Sequence, residues 1–89
     1  MYRVELTPRA RRELDNVPIG DFERIDRAIL RLGENPRPPG VRKLRGLIYR
    51  LRVGRWRIVY SVLDGEQVVV VGKVVRRAED TYDRLDELF

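Results

Sequence analysis

Between Ile48 and Tyr60 the chain alternates apolar and basic residues on both sides of Gly54-Arg55, the pattern of a half-buried β-hairpin. A turn centred on Gly54-Arg55 sets the register: Val53 faces Trp56, Arg52 faces Arg57, Leu51 faces Ile58 and Tyr49 faces Tyr60. Side chains alternate along a strand, so Tyr49, Leu51, Val53, Trp56, Ile58 and Tyr60 share an apolar face. Arg50, Arg52 and Arg57 share the other. Like charges placed opposite each other destabilise a sheet by up to ~1 kcal/mol. Three arginines gathered against that rule suggest a surface built to meet negative charge.

The neighbouring segments give this hairpin a setting. Tyr2 to Leu6 reads as a short strand, with Tyr2, Val4 and Leu6 on one side. Thr7-Pro8 opens a helix, Thr7 as the cap and Pro8 in the first helical position, where its missing N–H loses nothing. Ala10, Leu14 and Val17 form its buried stripe. Pro18-Ile19-Gly20 breaks it, and a second helix runs from Asp21 to about Leu32, with Phe22, Ile25, Ile29 and Leu32 on one face. Gly33 is placed to terminate it. Asn35 to Gly40 holds three prolines and is a loop. Val41 to Leu47 is extended or irregular. Asp64-Gly65 predicts a two-residue turn, which sets Arg57 opposite Gly72 and Val59 opposite Val70. Continued alternation then carries Arg76 to the side of Arg57, beside the space left by Gly72. Trp56 and Tyr60 read as core under the helices rather than as base-stacking platforms. The tail from Glu79 to Phe89 reads as a short helix that needs tertiary contacts.

The chain is 89 residues long with a formal charge of +5 and no Cys or His. That length suits one domain, 1–89, near the lower size limit for a single core. Without Cys or His there is no disulfide framework, thiolate metal site or imidazole base. No run is apolar and long enough to cross a membrane, and no signal-peptide pattern opens the chain, so the expected location is the cytoplasm. No acidic residue occurs from Asn35 through Leu63, an interval that carries Arg37, Arg42, Lys43, Arg45, Arg50, Arg52, Arg55 and Arg57. Such asymmetry fits phosphates or an acidic partner; a solvated, arginine-rich surface is the plainer alternative.

Taken in order, Tyr2-Arg3-Val4-Glu5-Leu6-Thr7-Pro8 with Ala10 and Leu14, Asn35-Pro36-Arg37, Lys43-Leu44-Arg45-Gly46, Tyr49-Arg50-Leu51-Arg52, Trp56-Arg57-Ile58-Val59-Tyr60, and Val74-Val75-Arg76-Arg77 with Tyr82 resemble the RelE/ParE superfamily of toxins from toxin–antitoxin systems. They lean to the RelE branch. The resemblance implies an α+β fold: an N-terminal strand, an α-helical hairpin, then an antiparallel β-meander with a short C-terminal helix. It implies a toxin that inhibits translation as a ribosome-dependent endoribonuclease acting on messenger RNA. In the implied reaction no metal or other cofactor takes part, and the RNA 2′-OH attacks the adjacent phosphate, giving a 2′,3′-cyclic phosphate and a 5′-OH. The implied partners are the ribosome, its message and an acidic, RelB-like antitoxin.

In the RelE pattern two lysines stand where this chain has Arg50 and Arg52. Arg57, Arg76 and Tyr82 match an arginine, a C-terminal arginine and a tyrosine. By resemblance Arg57, Arg76, Tyr82 and Arg52 are the catalytic candidates. Arg50, Arg52, Arg45, Lys43, Arg55 and Arg77 are the RNA-binding ones. Arginine does not deprotonate near neutral pH, which makes Tyr82 the candidate base. Four alternatives stay open. Arg57 and Arg76 could pair with Glu79, Asp80 or Asp83, and Tyr82 could simply pack on the sheet edge. The same fold also serves ParE-like poisons of DNA gyrase and non-catalytic RNA-binding modules.

Overall fold

The computed structural model describes residues 1–77. In chain order it contains β1 (Arg3–Leu6), α1 (Pro8–Asp15), α2 (Ile19–Arg31), β2 (Arg42–Arg45), β3 (Ile48–Val53), β4 (Trp56–Leu63) and β5 (Val68–Arg76). The strands form one sheet in the order β1-β5-β4-β3-β2. From β2 to β5 it is an antiparallel meander, and β1 lies parallel to β5 at the far edge. A parallel pair needs a long crossover. The chain between β1 and β5 includes α1 and α2, which pack on one face of the sheet. This is the expected α+β architecture; the C-terminal helix expected over 79–89 lies outside the described residues.

Local chemistry explains the helices. Thr7 Oγ1 accepts the Ala10 N–H at 3.1 Å, and Pro8 occupies the first turn of α1. Ala10, Leu14 and Val17 are buried, as are Ile25, Ile29 and Leu32. They meet Val53, Trp56, Ile58, Tyr60, Val62, Val69, Val71 and Val74 from the sheet. Complete burial of a Leu or Ile side chain contributes about 1.5–3 kcal/mol, so these residues hold the two layers together. The second helix starts at Ile19 rather than Asp21, because the Pro18 carbonyl already accepts from Asp21 N and Phe22 N. Gly33 directly follows the C-cap Leu32, at the expected helix stop, and it has a second purpose. Its carbonyl accepts the Tyr2 N–H at 2.7 Å, and a Cβ there would lie 2.9 Å from the Tyr2 carbonyl oxygen. It is glycine because β1 passes against it.

The β3–β4 hairpin has the expected register: Val53↔Trp56, Arg52↔Arg57, Leu51↔Ile58 and Tyr49↔Tyr60. Gly54 sits at φ 59° in the turn, a conformation open to glycine at little cost. The β4–β5 hairpin departs from expectation twice. Its turn takes the four positions 64–67, with Leu63 opposite Val68 and Gln67 at φ 55°. That lengthening moves the register by two residues and keeps every side chain on its face. The second departure does not. Tyr60 pairs with Val71 and Val59 with Lys73, so Gly72 is the extra residue of a β-bulge. A bulge reverses the alternation beyond it. Arg57 therefore stands opposite Val75, not Gly72, and Val59 opposite Lys73, not Val70.

Candidate nucleic-acid interface

Two rows of side chains cross the sheet face opposite the helices. One runs Arg42, Arg50, Val59, Lys73 across β2, β3, β4 and β5; the next runs Arg52, Arg57, Val75. Arg42 and Arg52 are exposed. Arg50, Arg57 and Lys73 are not: their exposures are 7%, 3% and 7%. Ile48 and Val59 form a small apolar cluster among them, with Leu44 packed against it. One guanidinium nitrogen of Arg57, Nη1, donates to the Trp56 carbonyl at 3.2 Å. Five cationic side chains thus share one face, three of them held inside the folded chain.

Arg50, Arg52 and Arg57 share a face as their spacing predicts, but Arg50 and Arg57 are buried rather than laid open. Arg76 does not join them. It pairs with Trp56, and its guanidinium carbon lies 5.5 Å from the centre of the Trp56 ring. There it lines a cleft of about 270 Å³ with Glu13, Asn16, Pro18 and Val74, on the helix side of the sheet. The Gly72 bulge is the physical reason. The same bulge brings Lys73 to the arginine face, which sequence reasoning missed. A signal was present, since a glycine inside a valine-rich strand marks a bulge. Arg77 follows the last residue of β5 and is exposed; its N–H donates to the Arg55 carbonyl at 2.8 Å. Arg55 itself occupies the exposed β3–β4 turn. Arg45 pairs with Ile48 of the arginine face, whereas Lys43 pairs with Tyr49 of the opposite one. Tyr82 lies outside the described residues.

Arg37, one of the cations of the acid-free interval, is occupied within the fold. Its guanidinium donates to both Asp64 oxygens, at 3.2 and 2.8 Å, and to the Tyr49 hydroxyl at 3.0 Å. Tyr2 donates to the same carboxylate at 2.5 Å. Hydrogen bonds from Arg37 and then Tyr2 hold the Asp64 carboxyl below its ordinary range. Accepting that bond, Asp64 in turn raises the Tyr2 hydroxyl above its own. Behind this cluster Tyr60 stacks on Tyr49 with ring centres 5.9 Å apart. Tyr60 also donates to the Pro36 carbonyl at 2.7 Å. Burial raises its hydroxyl well above the ordinary tyrosine value. On the helix side, Trp56 Nε1 donates to Asp21 at 3.0 Å, and Glu13 accepts the Val74 N–H at 2.9 Å. Among the described residues no cluster of three or more Asp or Glu could hold a metal ion, and no helix is long and apolar enough to cross a membrane.

Residues 4–81 match the family model described as the ParE toxin of the type II toxin–antitoxin system parDE. The fold is similar to that of the toxin in the archaeal RelE–RelB complex from Pyrococcus horikoshii OT3. Identity there is 28% and the TM-score 0.79, covering 89% of this chain and 98% of that one. The intact E. coli RelBE complex gives 30% identity and a TM-score of 0.72, covering 85% and 96%. Isolated E. coli RelE gives 25% identity and a TM-score of 0.76, covering 98% and 94%. With the family model spanning most of its length and the sheet and helices in matching places, the chain belongs to the ParE toxin family of type II toxin–antitoxin systems, as a RelE-like toxin of the RelE/ParE superfamily.

Proposed function

We propose that this toxin is a ribosome-dependent endoribonuclease that cleaves messenger RNA and so stops translation. The observation that carries the reading is the gathering of Arg50, Arg52, Arg57 and Lys73 on one sheet face of a RelE-like chain. Fixed cations aimed at one phosphodiester stabilise the charge that builds on its oxygens during 2′-OH attack. Arg57 and Arg50 are the phosphate clamps, and Arg52, Arg42 and Arg77 position the strand. Arg45 and Arg55 supply further contacts to the RNA backbone. Because Arg50 and Arg57 are buried in the free chain, docking on the ribosome exposes them. That requirement accounts for dependence on the ribosome. Arg76, on the opposite face, has no part in the clamp.

Solved relatives include RelE–RelB complexes, and the +5 charge of this chain suits an acidic antitoxin of the RelB kind. The ParE description of the matching family favours a second reading, inhibition of DNA gyrase by protein contact alone. One comparison separates the two. Purified toxin should cut message on programmed ribosomes, leaving 2′,3′-cyclic phosphate and 5′-OH ends, with free RNA untouched. Intact message together with blocked supercoiling would replace the nuclease by the gyrase reading.

A further inference from the structure

We infer that Lys73 is the group that removes the 2′-hydroxyl proton in that cleavage, an inference that rests on the nuclease reading. The attack needs a proton acceptor at the phosphate. Guanidinium groups do not release a proton near neutral pH, whereas a lysine amine exchanges one. Among the described residues, the polar side chains at the centre of this face are Arg50, Arg52, Arg57, Ser61 and Lys73, and only Lys73 carries an amine. The chain has no histidine or cysteine at all.

Position supports the chemistry. Lys73 lies in the row of Arg50 and is the diagonal neighbour of Arg57 across β4–β5. Diagonal neighbours sit about 7–8 Å apart at the backbone, a gap that two long side chains close around one phosphodiester. Its exposure of 7% matches Arg50 at 7% and lies near Arg57 at 3%, so whatever uncovers the clamps also uncovers the amine. A lysine inside the valine-rich strand Val68–Arg76 breaks the usual placement of that residue, and the Gly72 bulge is what turns it to this face. In the step itself Nζ accepts the 2′ proton as the O2′–P bond forms. The P–O5′ bond breaks, and the proton returns through solvent to the 5′ oxygen. Atoms balance with no co-reactant.

The test is single-turnover cleavage of ribosome-bound message across pH. Lys73→Arg keeps a long basic side chain and replaces the amine by a guanidinium that does not act as a base near neutral pH. Its cleavage should fall by about a hundredfold or more, with ribosome binding unchanged and the rise of rate with pH lost. Because the natural chain has no cysteine, Lys73→Cys can be alkylated with 2-bromoethylamine while unfolded and then refolded. The product restores the lysine shape with a less basic amine. It should cleave, with the pH limb displaced downward. This variant also decides the matter if Lys73→Arg does not fold. A displaced limb supports Lys73, and an unmoved limb overturns it. Lys73→Arg cleaving within about threefold of the parent, or loss of the limb in Tyr82→Phe alone, also overturns the assignment while the nuclease reading stands. A parent chain that leaves ribosome-bound message intact removes both.

Discussion

Tyr60 ties the proline loop to the sheet. Its ring stacks on Tyr49, and its hydroxyl reaches the Pro36 carbonyl at 2.7 Å from a fully buried position. Tyr60→Phe keeps the ring and leaves that carbonyl without its donor, so urea denaturation should show a loss of about 1–2 kcal/mol. Gly33 is the second position where one atom matters. An alanine Cβ would meet the Tyr2 carbonyl at 2.9 Å, and a backbone neighbour cannot yield as a flexible side chain does. Gly33→Ala should cost about 1–3 kcal/mol, seen as a lower Tm with the N-terminal strand loosened. Amide hydrogen exchange at Tyr2 would report that loosening. The sequence identified Gly33 as a special residue. It did not say which contact made it so, because that contact comes from a segment some thirty residues away.

At the level of elements, the Gly72 bulge decides which side chains meet. Pairs on both sides of it are in step once Gly72 is left out: Tyr60 with Val71, then Val59 with Lys73. Deleting Gly72 should therefore keep Lys73 on the arginine face and Val74 in the core, at a cost within ~2 kcal/mol. Deleting Val74 has no such outlet. It drives Lys73 toward the core or sets Arg76 opposite Arg57, and should cost more than ~3 kcal/mol. Urea midpoints of the two deletions check the contrast; equal losses would mean that the bulge is not where the register changes. The same element shows how far sequence reasoning reaches. The β3–β4 hairpin was legible because Gly54 and two alternating strands specify a register within thirteen residues. The β4–β5 pairing was misjudged because Asp64-Gly65 suits a two-residue turn locally. The actual turn is lengthened, and its Asp64 is held by Arg37 and Tyr2 from elsewhere in the chain.

For the molecule as a whole, stability should depend on pH at the two extremes. No histidine or cysteine titrates in the middle range. At the acid end the lowered Asp64 carboxyl, hydrogen-bonded first by Arg37 and then by Tyr2, stabilises the fold above the unfolded aspartate value near ~4. That contribution is lost as pH falls toward the lower folded value. At the alkaline end Tyr60, raised mainly by burial, and Tyr2, raised mainly by its bond to Asp64, act in the opposite sense. Their contribution is complete below the unfolded tyrosine value near ~10 and is lost as pH rises toward the folded values. The urea midpoint should be nearly flat from about pH 5 to 9 and fall on both sides, with Tyr60→Phe flattening the alkaline fall. Charge acts at the same scale. A net +5 should make the proposed binding to ribosomes weaken steadily with added salt, measured as an apparent Kd against ionic strength.

Local interactions were enough to determine the strand–helix–helix–meander order, the cap at Thr7, the β3–β4 register and the division of its side chains between core and basic face. Each of these depends on residues a few positions apart, through helical period, strand alternation or turn conformation. Tertiary structure alone decided that Arg76 belongs beside Trp56, that Lys73 belongs on the face of Arg57 and Arg50, and that Arg37 serves Asp64 and Tyr49. The first two turn on a single unpaired residue in β5, and the third on segments that meet only when the loop closes over the sheet. Alternation propagates any such insertion to the end of its strand, and nothing in the local pattern carries that information.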